Sequence, residues 1–131
     1  MTAAWSPEQL KRIDGSGELQ IASRRADGTV RPFVPIWVVS AGGQVYVRTW
    51  YRRTTGWFGH VLETGRARVR VPGLEADVVA EDVGAGPAEL RTSVDQAYRA
   101  KYGGYGSGSV GQMVADPAAA ATLRLTPEQA G

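Results

Sequence analysis

The chain has 131 residues, of which 43% are hydrophobic, so it can bury a hydrophobic core without disulfide or metal cross-links. We expect a single domain over residues 1–131. It contains no cysteine, which excludes disulfides, thiolate nucleophiles and cysteine-ligated zinc or iron–sulfur sites. The formal net charge of +2 is too small to indicate a protein whose whole surface binds nucleic acid.

The chain opens with a predicted helix and a predicted strand. Ser6 has the character of an N-cap, Pro7 suits the first helical position, and Gln9 can close a capping box. A strand is predicted over residues 18–23. The dipeptide Asp27-Gly28 indicates a hairpin turn after it.

A long apolar strand is predicted next, over residues 30–40. Pro32 and Pro35 restrict its first half to a sheet edge or a bulge, because proline cannot donate to a strand ladder. Residues 44–50 alternate β-branched residues with Tyr, Arg and Trp, a pattern that predicts a further strand. Together these segments predict a three-stranded antiparallel meander.

The stretch QVYVRTWYRRTTGWF, residues 44–58, contains the most suggestive candidate site. After the strand, a connector with two arginines, two threonines and a glycine precedes an amphipathic helix. Guanidiniums bind phosphate through paired hydrogen bonds, hydroxyl and backbone N–H groups add donors, and a helix N-terminus adds partial positive charge. The connector therefore suits a phosphate group. A solvated basic loop beside core aromatic residues is the alternative interpretation.

Helical spacing of apolar residues predicts a helix over residues 57–63, ended by Gly65. Two strands follow, over residues 66–71 and 74–83, joined by a turn at Pro72-Gly73. If the strands pair across that turn, the arginines of the first strand lie opposite acidic residues of the second strand. The arginine stripe is then a charge-paired sheet face rather than a nucleic-acid surface. The expected pairs are Arg70 with Glu75 and Arg68 with Asp77.

The last third of the chain predicts a helix, a glycine-rich loop and a final strand. Ser93 and Gln96 resemble a second capping box, for a helix that runs to Tyr102. Residues 103–111 form either a lid that carries Tyr105 over a pocket or an inert loop. The final element begins as a helix after Asp116-Pro117 and ends as a strand.

About six strands with two or three connecting helices predict a sheet that closes or half-closes into a barrel. The order of the elements resembles the split β-barrel of flavin- and deazaflavin-binding, nitroreductase-like reductases. The elements that carry this resemblance are a strand ending in arginine, a basic connector, a Trp-containing helix and an "RARVRV" strand followed by an acidic return strand. More narrowly, "ELQIASRRADGTVRPFVPIWVV", "VYVRTW" and "AYRAKYG" resemble the DUF2255 family of uncharacterised bacterial proteins over nearly the full chain. The resemblance implies a mainly β (α+β) fold, a six-stranded antiparallel split β-barrel.

The resemblance also implies a homodimer with F420 or FMN in a groove between the barrels. The cofactor phosphate would lie near the connector, whose sequence differs from the lysine-and-glycine connector of the deazaflavin reductases. The cofactor-binding candidates carried over in this way are Arg48, Arg52, Arg53 and Thr55 for the phosphate and Trp50 and Trp57 beside the ring system.

Side chains offer little catalytic chemistry of their own. His60 is the single histidine, and neither a serine–histidine–acid nor a metal-ligand spacing is present. His60, a weak candidate, and Tyr105 are the catalytic candidates, so hydride chemistry must come from a cofactor. One hypothesis is a small flavin- or deazaflavin-dependent oxidoreductase acting on a small organic substrate. The other is a cofactor-free barrel that binds or converts a small ligand in an aromatic pocket of Trp37, Trp50, Trp57 and Tyr105.

Neither a membrane nor nucleic acid is expected as a partner. The first 15 residues lack the apolar core of a signal peptide, and no apolar run approaches the ~20 residues that a membrane span requires. We therefore expect a soluble protein located in the cytoplasm.

Overall fold

The computed structural model describes residues 5–49, 56–84, 86–103, 111 and 113–128. Four helices and seven strands lie wholly within these ranges. In chain order they are α1 (Pro7–Gly15), β1 (Leu19–Ser23), β2 (Val34–Ile36), β3 (Val39–Ala41), β4 (Gln44–Arg48), α2 (Gly56–Thr64), β5 (Arg66–Val71), β6 (Leu74–Asp82), α3 (Ala88–Tyr102), α4 (Asp116–Ala119) and β7 (Thr122–Pro127).

The seven strands form one antiparallel sheet in the order β2-β1-β5-β6-β7-β4-β3. β2 and β3 lie at opposite edges of this sheet, yet only Trp37 and Val38 separate them in the chain. The end of β2 and the start of β3 are three residues apart in the chain, a distance of at most about 11 Å even when the backbone is fully extended. The sheet must therefore curl until its two edges approach each other, and this half-barrel confirms the predicted antiparallel barrel class.

The prediction of one strand over residues 30–40, and of a meander built on it, is wrong. Residues 34–36 pair with β1, whereas residues 39–41 pair with β4 at the other edge of the sheet. The division falls at Val38, whose N–H donates to the Tyr102 hydroxyl and whose carbonyl accepts from Lys101. Side chains of α3 thus form hydrogen bonds with the backbone N–H and C=O of Val38, which would otherwise have continued a strand. The sheet therefore has seven strands rather than the predicted six.

Several local predictions are confirmed. Ser6 and Gln9 form the capping box of α1. Gly65, with φ of 69°, ends α2, and its N–H closes the last turn on Val61. The turn at Pro72-Gly73 gives the expected register of β5 and β6, in which Arg68 faces Asp77 and Arg70 faces Glu75. Residues 116–119 are helical and lead into β7, as predicted.

The predicted start of the third helix is wrong. α3 begins at Ala88 with Pro87 as its N-cap, and Ser93 lies in its interior. The segment between Pro87 and Ser93 is rich in good helix formers, so the helix extends upstream of the apparent capping box. This extension adds Leu90 to the face that packs on the sheet.

Two clusters of apolar side chains cover the two faces of β4. Val45 and Val47 point into the main core inside the curled sheet, where α1 and α2 also pack. Tyr46, on the other face, joins a second cluster formed with β3 and α3. Both faces of β4 are therefore buried, and Arg48 lies on the face that α3 covers.

Candidate functional site

The structure describes three of the eight residues that the sequence singles out. Arg48 ends β4, and Trp57 and His60 lie on α2. The other five, Trp50, Arg52, Arg53, Thr55 and Tyr105, lie outside the described residues.

Arg48 is a buried cation, with 1% of its side chain exposed. Its Nη1 donates to a carboxylate oxygen of Asp95 at 2.6 Å and to the carbonyl of Met113 at 2.9 Å. Its Nε donates to the Thr122 hydroxyl at 2.9 Å, and that hydroxyl donates in turn to the Ala119 carbonyl. The guanidinium therefore connects β4 to α3, to the segment before α4 and to β7.

Two buried polar atoms at this site have no hydrogen-bond partner among the described residues. They are Arg48 Nη2 and the hydroxyl oxygen of Tyr98. The guanidinium carbon lies 5.5 Å from the centre of the Tyr98 ring. Burial raises the pKa of Tyr98, so the hydroxyl keeps its proton. A buried donor without a partner is costly, so Arg48 Nη2 fits an acceptor group such as a phosphate oxygen.

The charge of Arg48 belongs to a chain of ion pairs. Asp95 accepts from Arg48 through one oxygen and, at 3.4 Å, from Arg91 through the other. Arg91 also pairs with Asp116 at 2.7 Å and donates to the Val114 carbonyl. This series of ion pairs joins α3 to the segment that leads into α4, and Asp95 offsets the charge of Arg48.

Trp57 and His60 lie on a helix that packs on the main core. Trp57 is half-buried and makes an edge-to-face contact with Phe58, with ring centroids 5.4 Å apart. His60 is also half-buried, and no hydrogen bond or ion pair joins it to another described residue. No recorded contact brings either side chain to Arg48.

The tryptophans of the predicted aromatic pocket are not all brought together. Trp37 packs on the second cluster, where its ring lies parallel to that of Tyr102 with centroids 4.1 Å apart. Trp57 packs on the main core instead. Tyr98 and Tyr102 are fully buried in the second cluster.

An open cleft of about 840 Å³ lies beside Trp37. It is lined by the segment that enters β1, by the end of β5 and by the turn at Pro72-Gly73. Its polar side chains include Glu18, Gln20 and Arg70. A smaller cleft of about 350 Å³ lies between α1, β3 and α3.

The smaller cleft contains a partly buried lysine. Lys101 Nζ donates to the carbonyls of Ile13 and Val38, and burial lowers its pKa, while Asp14 acts in the opposite direction. Ser40 donates its hydroxyl proton to Asp14. These contacts tie the end of α1 to α3 and β3.

Within the described ranges, no group of three or more His, Cys, Asp or Glu residues is arranged to hold a metal ion. Among the same residues, no helix is both long enough and apolar enough to cross a membrane.

Sequence reasoning named Trp37 as a pocket residue but missed the partners of Arg48. Asp95 is 47 residues away from Arg48, and no local pattern links the two. The alternation on β4 placed Arg48 on the face opposite Val45 and Val47, but it gave no sign that this face is buried. Arg70 was correctly placed on a charge-paired face, but its place in the cleft beside Trp37 was not predicted.

Solved structures with low sequence identity share this fold. The heme storage protein HutZ from Vibrio cholerae matches with a TM-score of 0.66 at 14% identity, over 95% of this chain and 91% of that one. An FAD-binding protein from Mesorhizobium loti matches with 0.58 at 17% identity, over 98% and 94%. A structure described as an F420 reductase matches with 0.54 at 14% identity, over 91% and 92%. At these identities the likeness shows the split-barrel fold alone.

Family membership rests on the sequence itself. No curated protein matches the chain. The family model described as "Uncharacterized protein conserved in bacteria (DUF2255)" matches residues 9–125, which is most of the chain. The protein therefore belongs to the DUF2255 family, and it shares the split β-barrel fold of these solved structures.

Proposed function

We propose that the protein is a small flavin- or deazaflavin-dependent oxidoreductase that acts on a small organic substrate. The observation that carries the proposal is the state of Arg48, a buried cation at the end of β4 whose Nη2 has no acceptor within the described ranges. The basic connector begins immediately after this strand. A phosphate oxygen at Arg48 would give Nη2 an acceptor, so the residues described here fit the group.

The split-barrel fold supports the proposal because structures with the same fold include an FAD-binding protein and an F420 reductase. When bound, such a cofactor accepts or donates a hydride, which the side chains of this chain cannot do. F420 and FMN are the two candidates. The proposal includes a homodimer in the cytoplasm, with the cofactor in a groove between two barrels.

The side chains would bind and position the cofactor. Arg48 would donate from Nη2 to a phosphate oxygen, while Asp95 holds the rest of its guanidinium in place. Arg52, Arg53 and Thr55 would supply further donors from the connector. Trp50 and Trp57 would exclude water beside the ring system, and Tyr105 and His60 are the candidate proton donors to the substrate.

The experiment that tests the phosphate assignment is the double variant Arg52→Ala, Arg53→Ala. A hydrogen bond to a charged group contributes about 1.5–3 kcal/mol, so loss of two should weaken cofactor binding by about a hundredfold or more. The control removes two exposed helical arginines, Arg12→Ala with Arg99→Ala, and should leave the affinity nearly unchanged. Equal affinity in the connector variant and the wild type would refute the assignment.

A cofactor-free function is the second candidate, and the cleft beside Trp37 favours it. In that case the barrel binds or converts a small organic ligand and needs no phosphate contact. Stoichiometric flavin in the purified protein would exclude this alternative.

A further inference from the structure

We propose that the cleft beside Trp37 binds a small aromatic carboxylate, with its ring against the indole and its carboxylate at Arg70. The cleft volume of about 840 Å³ falls within the range of small-molecule sites in proteins, roughly 300–1,000 Å³. It combines an aromatic wall with a few polar side chains, which is the usual composition of such sites.

The strand register places this cleft at the opposite end of the sheet from Arg48. β4 ends at Arg48, which pairs with Thr122 at the start of β7. The start of β7 pairs with the end of β6, and β6 ends beside the start of β5. The cleft instead lies at the end of β5, around Arg70. A ligand in the cleft is therefore separate from Arg48, and the inference holds with or without a cofactor.

Trp37 and Arg70 line the same cleft. The last pair of β1 and β2 is Leu19 with Ile36, and that register continued by one position sets Trp37 opposite Glu18. Arg70 pairs with Gln20, two residues further along β1. Because side chains two residues apart on a strand share a face, the continued register puts Trp37 and Arg70 on one face, with Cα atoms about 12 Å apart. An acid with one aromatic ring bridges such a separation.

Both recognition groups are held in place before any ligand binds. The Trp37 ring lies parallel to that of Tyr102, with an interplanar angle of 2°. The Arg70 guanidinium lies 4.0 Å from the centre of the Phe33 ring and donates from Nη2 to Gln20 at 2.7 Å. Positioned groups lose little conformational freedom on binding, which favours affinity.

The charges in and around the cleft favour a carboxylate at the Arg70 end. The only recorded hydrogen bond of the Arg70 side chain to a described residue is that to Gln20, and the nearest oxygen of Glu75 is 3.9 Å from Nη1. Guanidinium donors therefore remain for a carboxylate, which they bind bidentately. Glu18 lines the Trp37 end of the cleft and suits a hydroxyl donor on the far side of the ring.

Calorimetric titration with 4-hydroxybenzoate, without added cofactor, tests the proposal. We expect saturable binding to the wild type and at least about tenfold weaker binding to Arg70→Gln, since a charge-assisted pair is lost. The matched control is Arg68→Gln, on the same strand and face, paired with Asp77 and absent from the cleft lining. Its affinity should stay within roughly twofold of the wild type, because exposed charges away from a site contribute little.

A second ligand makes the test independent of the variants. The neutral analogue 4-hydroxybenzyl alcohol keeps the ring and the hydroxyl and lacks the carboxylate, so it should bind the wild type at least about tenfold more weakly. Three results would overturn the proposal: no saturable binding of 4-hydroxybenzoate, equal losses in Arg70→Gln and Arg68→Gln, or equal affinity for the acid and the alcohol. Failure of flavin or F420 to bind would leave these outcomes unaffected.

Discussion

Arg48 donates to Asp95 at 2.6 Å across the contact between β4 and α3, and the exposed fractions of the two side chains are 1% and 14%. Two opposite charges are thus removed from water at the point where the strand leads into the basic connector. This pair is buried, whereas the arginine stripe of β5 is exposed.

Removal of Asp95 should be strongly destabilising, because it leaves the buried Arg48 charge uncompensated. We expect Asp95→Ala to lower the free energy of unfolding by about 3 kcal/mol, measured by urea denaturation. The control is Glu81→Ala, which breaks the exposed pair with Arg124 and should cost less than about 1 kcal/mol. Equal costs for the two variants would show that the Arg48 pair is not buried in solution.

The two buried tyrosines of α3 should respond differently to loss of their hydroxyl groups. Tyr102→Phe removes the acceptor of the Val38 N–H and should cost about 1–3 kcal/mol. Tyr98→Phe removes a hydroxyl that has no hydrogen-bond partner among the described residues, so it should be neutral or stabilising. Thermal or urea unfolding measures both. A larger loss in Tyr98→Phe than in Tyr102→Phe would contradict the assigned hydrogen bonds.

The glycines that close α1 and α2 should differ in their tolerance of alanine. Gly65 has φ of 69°, a conformation that L-residues rarely adopt, so Gly65→Ala should destabilise by about 1 kcal/mol. Gly15 is helical, and an added Cβ there meets no atom within 4 Å. Gly15→Ala should therefore stabilise by up to about 1 kcal/mol. If both changes had the same sign, the left-handed end of α2 would be in doubt.

Lowering the pH should reduce the stability of the sheet, partly through protonation of Asp77. The hydrogen bond from Arg68 lowers the pKa of this carboxyl, against the opposing effect of burial. A carboxyl with a lowered folded-state pKa stabilises the fold above its unfolded pKa of about 3.9, and this contribution is lost as the pH falls through the folded value. The stability difference between wild type and Arg68→Gln should therefore narrow as the pH falls below about 4. A difference that stays constant in urea unfolding at pH 7 and at pH 2.5 would contradict this assignment.

Elements defined by local patterns were predictable from the sequence. The bounds of β5 and the register of the β5–β6 hairpin follow from residues at most 13 positions apart, and α2 ends at the predicted glycine. The long strand over residues 30–40 was not divided correctly, because the groups that bind Val38 come from α3, more than 60 residues later.

The candidate site was predictable in residue type but not in burial. The sequence identified Arg48 as an arginine at a strand end before a basic connector, and the alternation on β4 fixed its face. It could not show that α3 covers that face or that Asp95 pairs with the guanidinium, because both depend on tertiary packing. The same limit applies to Arg70, whose pairing with Glu75 followed from the hairpin, whereas its proximity to Trp37 required the pairing of β1 with β2 and β5.

The proposal of a redox enzyme depends on whether the barrel binds a cofactor. Titration of the purified protein with FMN and with F420, followed through quenching of its four tryptophans, tests this most directly. We predict saturable binding of one of the two in the micromolar range, with one cofactor per chain. The absence of saturation by either would contradict the oxidoreductase proposal.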